Sequence, residues 1–361
     1  MRSIPQDEHA GARQHNATFR WRRGSKPNKL AANEPTPEMS RRLIFVVQAL
    51  ISVGLLVMVF MNPSVRGQFL SALHSAKPSW LVAGLLVSAI VAALSVIRWG
   101  IFLRMLGIRL SNADLWRISF IGLFFNTFLP GGVGGDIVRV IWLAGKGFSK
   151  STVLLSILMD RMSGVFGLAV CSAVLVLPQL DALKQSRELS MAINFGLIYI
   201  CAMMLMFAVT FVFAIVKLAP RLPPSFPMRE KLEQIERVYI EFLRSWRSTL
   251  AAIGLATLIH IGYFSTFYFS ARAFHEAVPV ALFYGIMPSI DIITMLPVSL
   301  SGLGLREQLF VSLLGQLCAV PADKAVAISL AGFALSSVWY LAGAFLIPSY
   351  RRAVDEPVSA S

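Results

Sequence analysis

The sequence predicts an all-α polytopic membrane protein. It should have about six spanning helices and two re-entrant broken-helix hairpins, arranged as an inverted-topology repeat. Three observations predict this. Hydrophobic residues make up 56% of the 361 residues and charged residues only 14%, against about 25% charged in a soluble globular chain. Six apolar runs are long enough to cross a hydrocarbon core of about 30 Å. Two further apolar regions are interrupted by proline and glycine. Mean hydropathy is +0.67. The composition excludes a soluble enzyme, a disordered scaffold and a secreted disulfide domain.

Residues 1–42 are polar, carry nine Lys/Arg and show no apolar period, so they read as a disordered basic arm. The first apolar run starts only at Leu43 and lacks a small-residue cleavage pattern, so it is not a secretory signal. The transmembrane domain extends over 43–348, with spans at 43–61, 80–103, 153–177, 191–216, 250–271 and 325–348. Residues 349–361 form a short tail. Tryptophans near the run ends, among them Trp80, Trp99, Trp142, Trp246 and Trp339, suit interfacial anchoring. Cys171, Cys201 and Cys318 are far apart in apolar stretches and imply neither a zinc site nor a disulfide frame.

The first interrupted region is Leu115–Ala144, broken by Pro130-Gly131-Gly132-Val133-Gly134-Gly135-Asp136. Its halves would be about 22 Å and about 12 Å long, each too short to span comfortably. The second is Val280–Leu317, broken between Pro297 and Gly304. Irregular backbone at membrane depth is tolerated only inside protein or against water. Two half-helices that enter and return on one side therefore fit better. With both regions re-entrant and both termini cytoplasmic, the cytoplasmic parts hold 23 Lys/Arg and the outer parts 6, as the positive-inside rule requires. A hairpin of two full spans would give the same parity. In this topology the two broken regions enter from opposite sides, the pattern of an inverted repeat. Each carries Leu-Pro, then small residues, then a carboxylate, Asp136 or Glu307.

A charge at the bilayer centre costs about 2.5–3.5 kcal/mol on insertion scales. Such residues must pair, face water or serve a ligand. In the first motif, Gly131, Gly132, Gly134 and Gly135 can turn backbone N–H groups toward an anion. The helix beginning near Ile137 adds its positive end, and Arg139 a phosphate contact. Asn126 stands at the head of the motif. Asp136 either caps that helix or pairs with Arg139 one turn on; a plain glycine turn with a capping Asp is the simpler reading. In the second motif, Gly302 and Gly304 precede a helix whose first turn holds Arg306 and Glu307. A cross-repeat Arg306–Asp136 or Glu307–Arg139 pair is one expectation, and helix capping with a local ion pair is the other. Asp160 and Arg161 either give the 153–177 span a polar face toward the broken helices or form a purely structural ion pair. Arg98, beside Trp99, reads as a snorkelling interface residue. His260 and Asp291 stand isolated, with His260 read as a satisfied bundle residue rather than a proton relay. No metal spacing, G-x-S-x-G or phosphate-binding loop occurs, so no cofactor is expected.

The run Phe125–Asp136 with Asp160-Arg161, followed by Ser301–Glu307, resembles the transmembrane region of lysylphosphatidylglycerol synthases, the flippase-like membrane family, over roughly 40–350. The resemblance implies a lipid translocase, or a handler of polar or polyprenyl-type lipid head groups. It implies that Asp136, Arg139, Asp160, Arg161, Arg306 and Glu307 line the lipid path. It also implies a bacterial-type plasma (inner) membrane. About a dozen residues follow the last span, so no soluble aminoacyl-transferase domain is expected. The partners expected are membrane lipids of anionic type, with no nucleic acid; a homo-oligomer or a lipid-synthesis partner is compatible. The rival readings are a membrane-embedded lipid-modifying enzyme, with Asp136 or Glu307 as base, and a non-catalytic partner subunit of a lipid-synthesis complex.

Overall fold

A computed structural model describes residues 74–128, 133–217, 229–296 and 298–347, with Val57, Met61 and Pro223. The basic arm, nearly all of the 43–61 run, the tail, Gly131 and Gly132 lie outside the described residues. The described part is helical: α1 Pro78–Met105, α2 Asn112–Phe128, α3 Gly134–Gly145, α4 Lys150–Leu175 and α5 Arg187–Ile215. Then follow α6 Arg229–Arg244, α7 Trp246–Ala273, α8 Val280–Met295, α9 Leu305–Cys318 and α10 Ala322–Ser337. A tighter turn, Val338–Leu341, carries the last span on to Ile347.

Among the described residues five helices are long and apolar enough to cross a membrane. These are α1, α4, α5, α7 and α10, so the chain is an all-α polytopic membrane protein. Each starts two to four residues before the corresponding apolar run. The reason is physical. Lys150 and Ser151, or Arg187 and Glu188, prefer water, yet an unpaired backbone is costly, so the helix continues past the apolar boundary. Pro78 suits the start of α1, where its missing N–H costs nothing. Ser186 caps α5 by accepting from the Leu189 N–H at 3.2 Å.

α6 is of another kind. Its polar and apolar residues segregate to two faces, and Val238, Tyr239 and Phe242 bury one face against Phe102, Met159 and Phe207. The Tyr239 hydroxyl donates to the Phe207 carbonyl at 3.0 Å, which locks α6 to α5.

The halves α1–α4 and α7–α10 have matching element orders. Each is a long helix, two shorter ones and a further span, with residue lengths of 28, 17 and 12 for the first three helices of one half and 28, 16 and 14 for those of the other, followed by the spans that begin at Lys150 and Ala322. α1 and α7 pack side by side and antiparallel. The Lys77 N–H before α1 donates to the Ala273 carbonyl at the end of α7, at 2.9 Å. At the other end, Arg104 of α1 shares a cleft with Arg244 and Ser245. The halves are thus inverted with respect to each other.

Each pair of short helices is closed at its base by an ion pair. Lys146 Nζ lies 2.9 Å from Asp114 Oδ2 across α2 and α3. Lys324 Nζ lies 2.7 Å from Glu276 Oε1 across the ends that flank α8 and α9. The closed ends lie on opposite sides, and the open tips meet inside, where the Ser301 hydroxyl donates to the Thr127 carbonyl. The main core lies beneath the second pair, around Phe264, Phe267, Phe283, Ile290 and Phe310. A separate cluster of Trp99, Leu103, Ile118 and Trp142 seats the first pair.

Candidate functional site: a polar cavity between two helix-hairpin tips

The first tip is organised around Asp136. At the start of α3 its carboxylate meets Arg161 Nη2 at 2.7 Å and Arg139 Nη1 at 3.5 Å. Asn126, ten residues earlier on α2, reaches the same carboxylate at 3.5 Å. The Asn126 side-chain Oδ1 accepts the Gly135 N–H at 2.8 Å. The N–H group expected to face a ligand is therefore already bonded within the tip. Gly135 has a steric role: a Cβ there would lie 1.9 Å from the Gly122 carbonyl oxygen. The two helices touch backbone to backbone at that point. Gly134 opens α3.

Arg139 is buried, with 5% exposure, and its guanidinium lies 4.3 Å from the Trp99 ring centroid. Cation–π attraction and the Asp136 charge offset part of its desolvation. The expected i,i+3 pair of Asp136 and Arg139 is thus present, and Arg161 is its stronger partner. Asp160, the neighbour of Arg161, faces elsewhere. It accepts from Arg98 Nε at 2.9 Å, with both side chains mostly buried. Arg98 is accordingly an internal ion-pair residue and not a snorkelling one. A carboxylate one helix away satisfies it better than a climb to the interface would.

The second tip is a short 3-10 turn, Leu300–Gly302, followed by a turn through Gly304 into α9. Ser301, Gly302 and Gly304 have φ of 52°, 77° and 82°. A Cβ at Gly302 would also meet Thr294 at 2.8 Å. Both glycines are demanded by this backbone. Glu307 is fully buried and folds back to accept the Gly304 N–H, while Ser329 Oγ donates to it at 2.7 Å. It caps α9. Arg306 Nη2 donates to the Ser301 carbonyl at 2.8 Å, and its guanidinium lies over Phe333 at 4.9 Å. The cross-repeat Arg306–Asp136 and Glu307–Arg139 pairs do not form, because each group finds a nearer partner within its own half.

Between the tips lies a cavity of about 280 Å³, walled by Asn126, Tyr263, Asp291, Thr294 and Arg306, with Tyr340 closing one side. Arg306 is 5% exposed and its Nη1 has no hydrogen-bond partner among the described residues. Of the predicted site residues, Asn126 and Arg306 line this cavity and Gly302 and Gly304 shape its wall. Asp136, Arg139 and Arg161 form the polar network beside the first tip, and Asp160 pairs separately with Arg98.

Two residues read as isolated are partners. His260 Nδ1 of α7 lies 3.3 Å from Asp291 Oδ2 of α8, and His260 Nε2 lies 3.1 Å from the Gly164 carbonyl of α4. A lone titratable residue in an apolar run is itself a signal, since its insertion cost calls for a partner. The sequence does not say which partner.

The fold and site define an integral membrane protein in which the end of α2 from one half and the α8–α9 break from the other border one polar cavity. A family model described as "Lysylphosphatidylglycerol synthase TM region" matches residues 45–343, and the chain belongs to that family. Membership ties it to the handling of membrane lipids. Comparison with curated proteins gives no match.

Proposed function

We propose that the protein is a lipid translocase. It admits the phosphate-bearing head group of an anionic or polyprenyl-type lipid to the cavity between the hairpin tips, and passes it between leaflets as one half rocks against the other. One observation carries this reading: the Arg306 guanidinium is buried on the cavity wall with a nitrogen that has no partner among the described residues. A buried donor left unpaired costs about 1–3 kcal/mol or more where the group is charged. An anionic head group in the cavity offsets that cost. In this reading both hairpins are re-entrant, α2–α3 from the cytoplasmic side and α8–α9 from outside. The Asp136 network stiffens the first tip, both chain termini are cytoplasmic, and the membrane is the bacterial-type plasma membrane.

The test is lipid movement in proteoliposomes, with head-group-labelled phosphatidylglycerol and a membrane-impermeant quencher. Wild type should expose inner-leaflet label, and Arg306→Gln should slow this at least about tenfold, the equivalent of ~1.4 kcal/mol. Equal rates in both would remove Arg306 from the lipid path. No movement in wild type, for phosphatidylglycerol and a polyprenyl phosphate alike, would remove the translocase reading.

A further inference from the structure

We infer that His260 and Asp291 form a proton-binding site coupled to the cavity, so that an anionic head group binds together with a proton. The inference rests on the cavity being the head-group site. A carbonyl oxygen only accepts, so the His260 Nε2 that faces the Gly164 carbonyl at 3.1 Å carries hydrogen. Nδ1 then faces Asp291 Oδ2 at 3.3 Å. A lone pair against a carboxylate repels. The contact attracts only when one proton lies in it, as imidazolium with carboxylate or as imidazole with carboxylic acid. Both side chains are 12% exposed, so water does little to relieve the deprotonated form.

Asp291 also lines the cavity that holds Arg306. With its proton the pair is neutral overall; without it the wall carries a negative charge facing the place an anion would occupy. The other groups around the pair do not duplicate it. Tyr263 of α7, Tyr340 beyond α10 and Cys171 of α4 are neutral in their ordinary states. Glu307 of α9 is engaged in capping, and α2 presents the uncharged Asn126 and Thr127. Arg98, near Gly164, is bound to Asp160. Arg306 remains as the cation that receives the anion, and the His260–Asp291 proton removes the opposing charge. Lipid and proton therefore bind cooperatively.

The experiment is calorimetric titration of the detergent-purified full chain with dioctanoyl phosphatidylglycerol, in buffers of different ionisation enthalpy. The slope of heat against buffer enthalpy counts the protons taken up. Inorganic phosphate in a parallel arm separates recognition of the anion from recognition of a lipid; phosphate itself titrates near neutral pH, so protons are counted in the lipid arm. Wild type should take up protons as it binds the lipid, to a limit of about one per lipid bound, the single proton that the His260–Asp291 contact holds. Asp291→Asn should bind with no proton uptake, because the Asn amide donates to His260 Nδ1 without a titrating proton. His260→Gln serves where that variant does not fold, with the same expectation. Binding with zero uptake in wild type overturns the inference and leaves the head-group site standing. Wild-type uptake retained in the variant also overturns it, since the proton then belongs elsewhere. No binding of either probe removes the head-group site and this inference together.

Discussion

Asp136 and Glu307 occupy matching places at the starts of α3 and α9, and they do different work. Asp136 is the shared anion of two arginines, one buried and one with a half-exposed side chain. Removing the carboxylate strands Arg139 against Trp99 alone. Asp136→Asn should therefore lower stability in detergent by roughly 3 kcal/mol. Arg161→Gln, at a site with 50% side-chain exposure, should cost under about 1 kcal/mol. Thermal unfolding followed by tryptophan fluorescence checks both, and equal losses would show that Arg139 does not depend on Asp136. Glu307 is a neutral-donor acceptor with an N–H and a hydroxyl as partners. Glu307→Ala should cost about 2 kcal/mol through the lost cap and the orphaned Ser329 hydroxyl, and Glu307→Gln less. A Gln variant as damaged as the Ala variant would mean that the charge, and not the cap, is what matters.

At the scale of the element, the α2–α3 hairpin depends on close approach at one end and charge at the other. The Gly135–Gly122 contact leaves no room for a methyl group. Gly135→Ala must part the helices or shift α3, and it should reduce the yield of folded protein on size-exclusion chromatography. A normal profile would show that the hairpin can open at no cost. At the base, burial pushes the Asp114 carboxyl up, while hydrogen bonds from Lys146 and Ser111 and the nearby Lys146 and Arg117 charges bring it below its ordinary 3.8. A depressed carboxyl stabilises the folded state above its unfolded value and loses that contribution as pH falls through its folded value. Protection against hydrogen exchange at the Asp114–Lys146 base, after correction for the intrinsic rate, should fall below about pH 4, and Asp114→Asn should abolish that loss of protection. Persistence of the dependence in the variant would place the titrating group elsewhere.

At the scale of the molecule, the two hairpin bases lie on opposite sides. In a cysteine-free background, Lys146→Cys and Lys324→Cys should react with an impermeant maleimide from opposite faces of sealed vesicles. Labelling from one face would sink the inverted arrangement in the membrane. The spans were legible from sequence because apolar length is a property of contiguous residues; Pro78–Met105 and Trp246–Ala273 differ from their runs only where polar ends keep the helix. Both glycine breaks were legible too, since positive φ and close approach leave a compositional mark. Pairings were not. Arg98 with Asp160, Arg161 with Asp136 and His260 with Asp291 join different helices, and which charge meets which depends on the rotation of each helix about its axis.

The sequence by itself determined the membrane class, the spans α1, α4, α5, α7 and α10, the two breaks and the residues too polar to stand alone in an apolar run. Those properties arise from local backbone preference and from transfer of contiguous residues between water and hydrocarbon. Only the tertiary structure decided that Glu307 caps its own helix, that Gly135 makes room for Gly122, that Arg306 faces the cavity with a nitrogen unpartnered among the described residues, and that Asp291 shares its place with His260. Those outcomes are set by distances of a few ångströms between helices far apart in the chain, and no periodicity or composition along one helix encodes them.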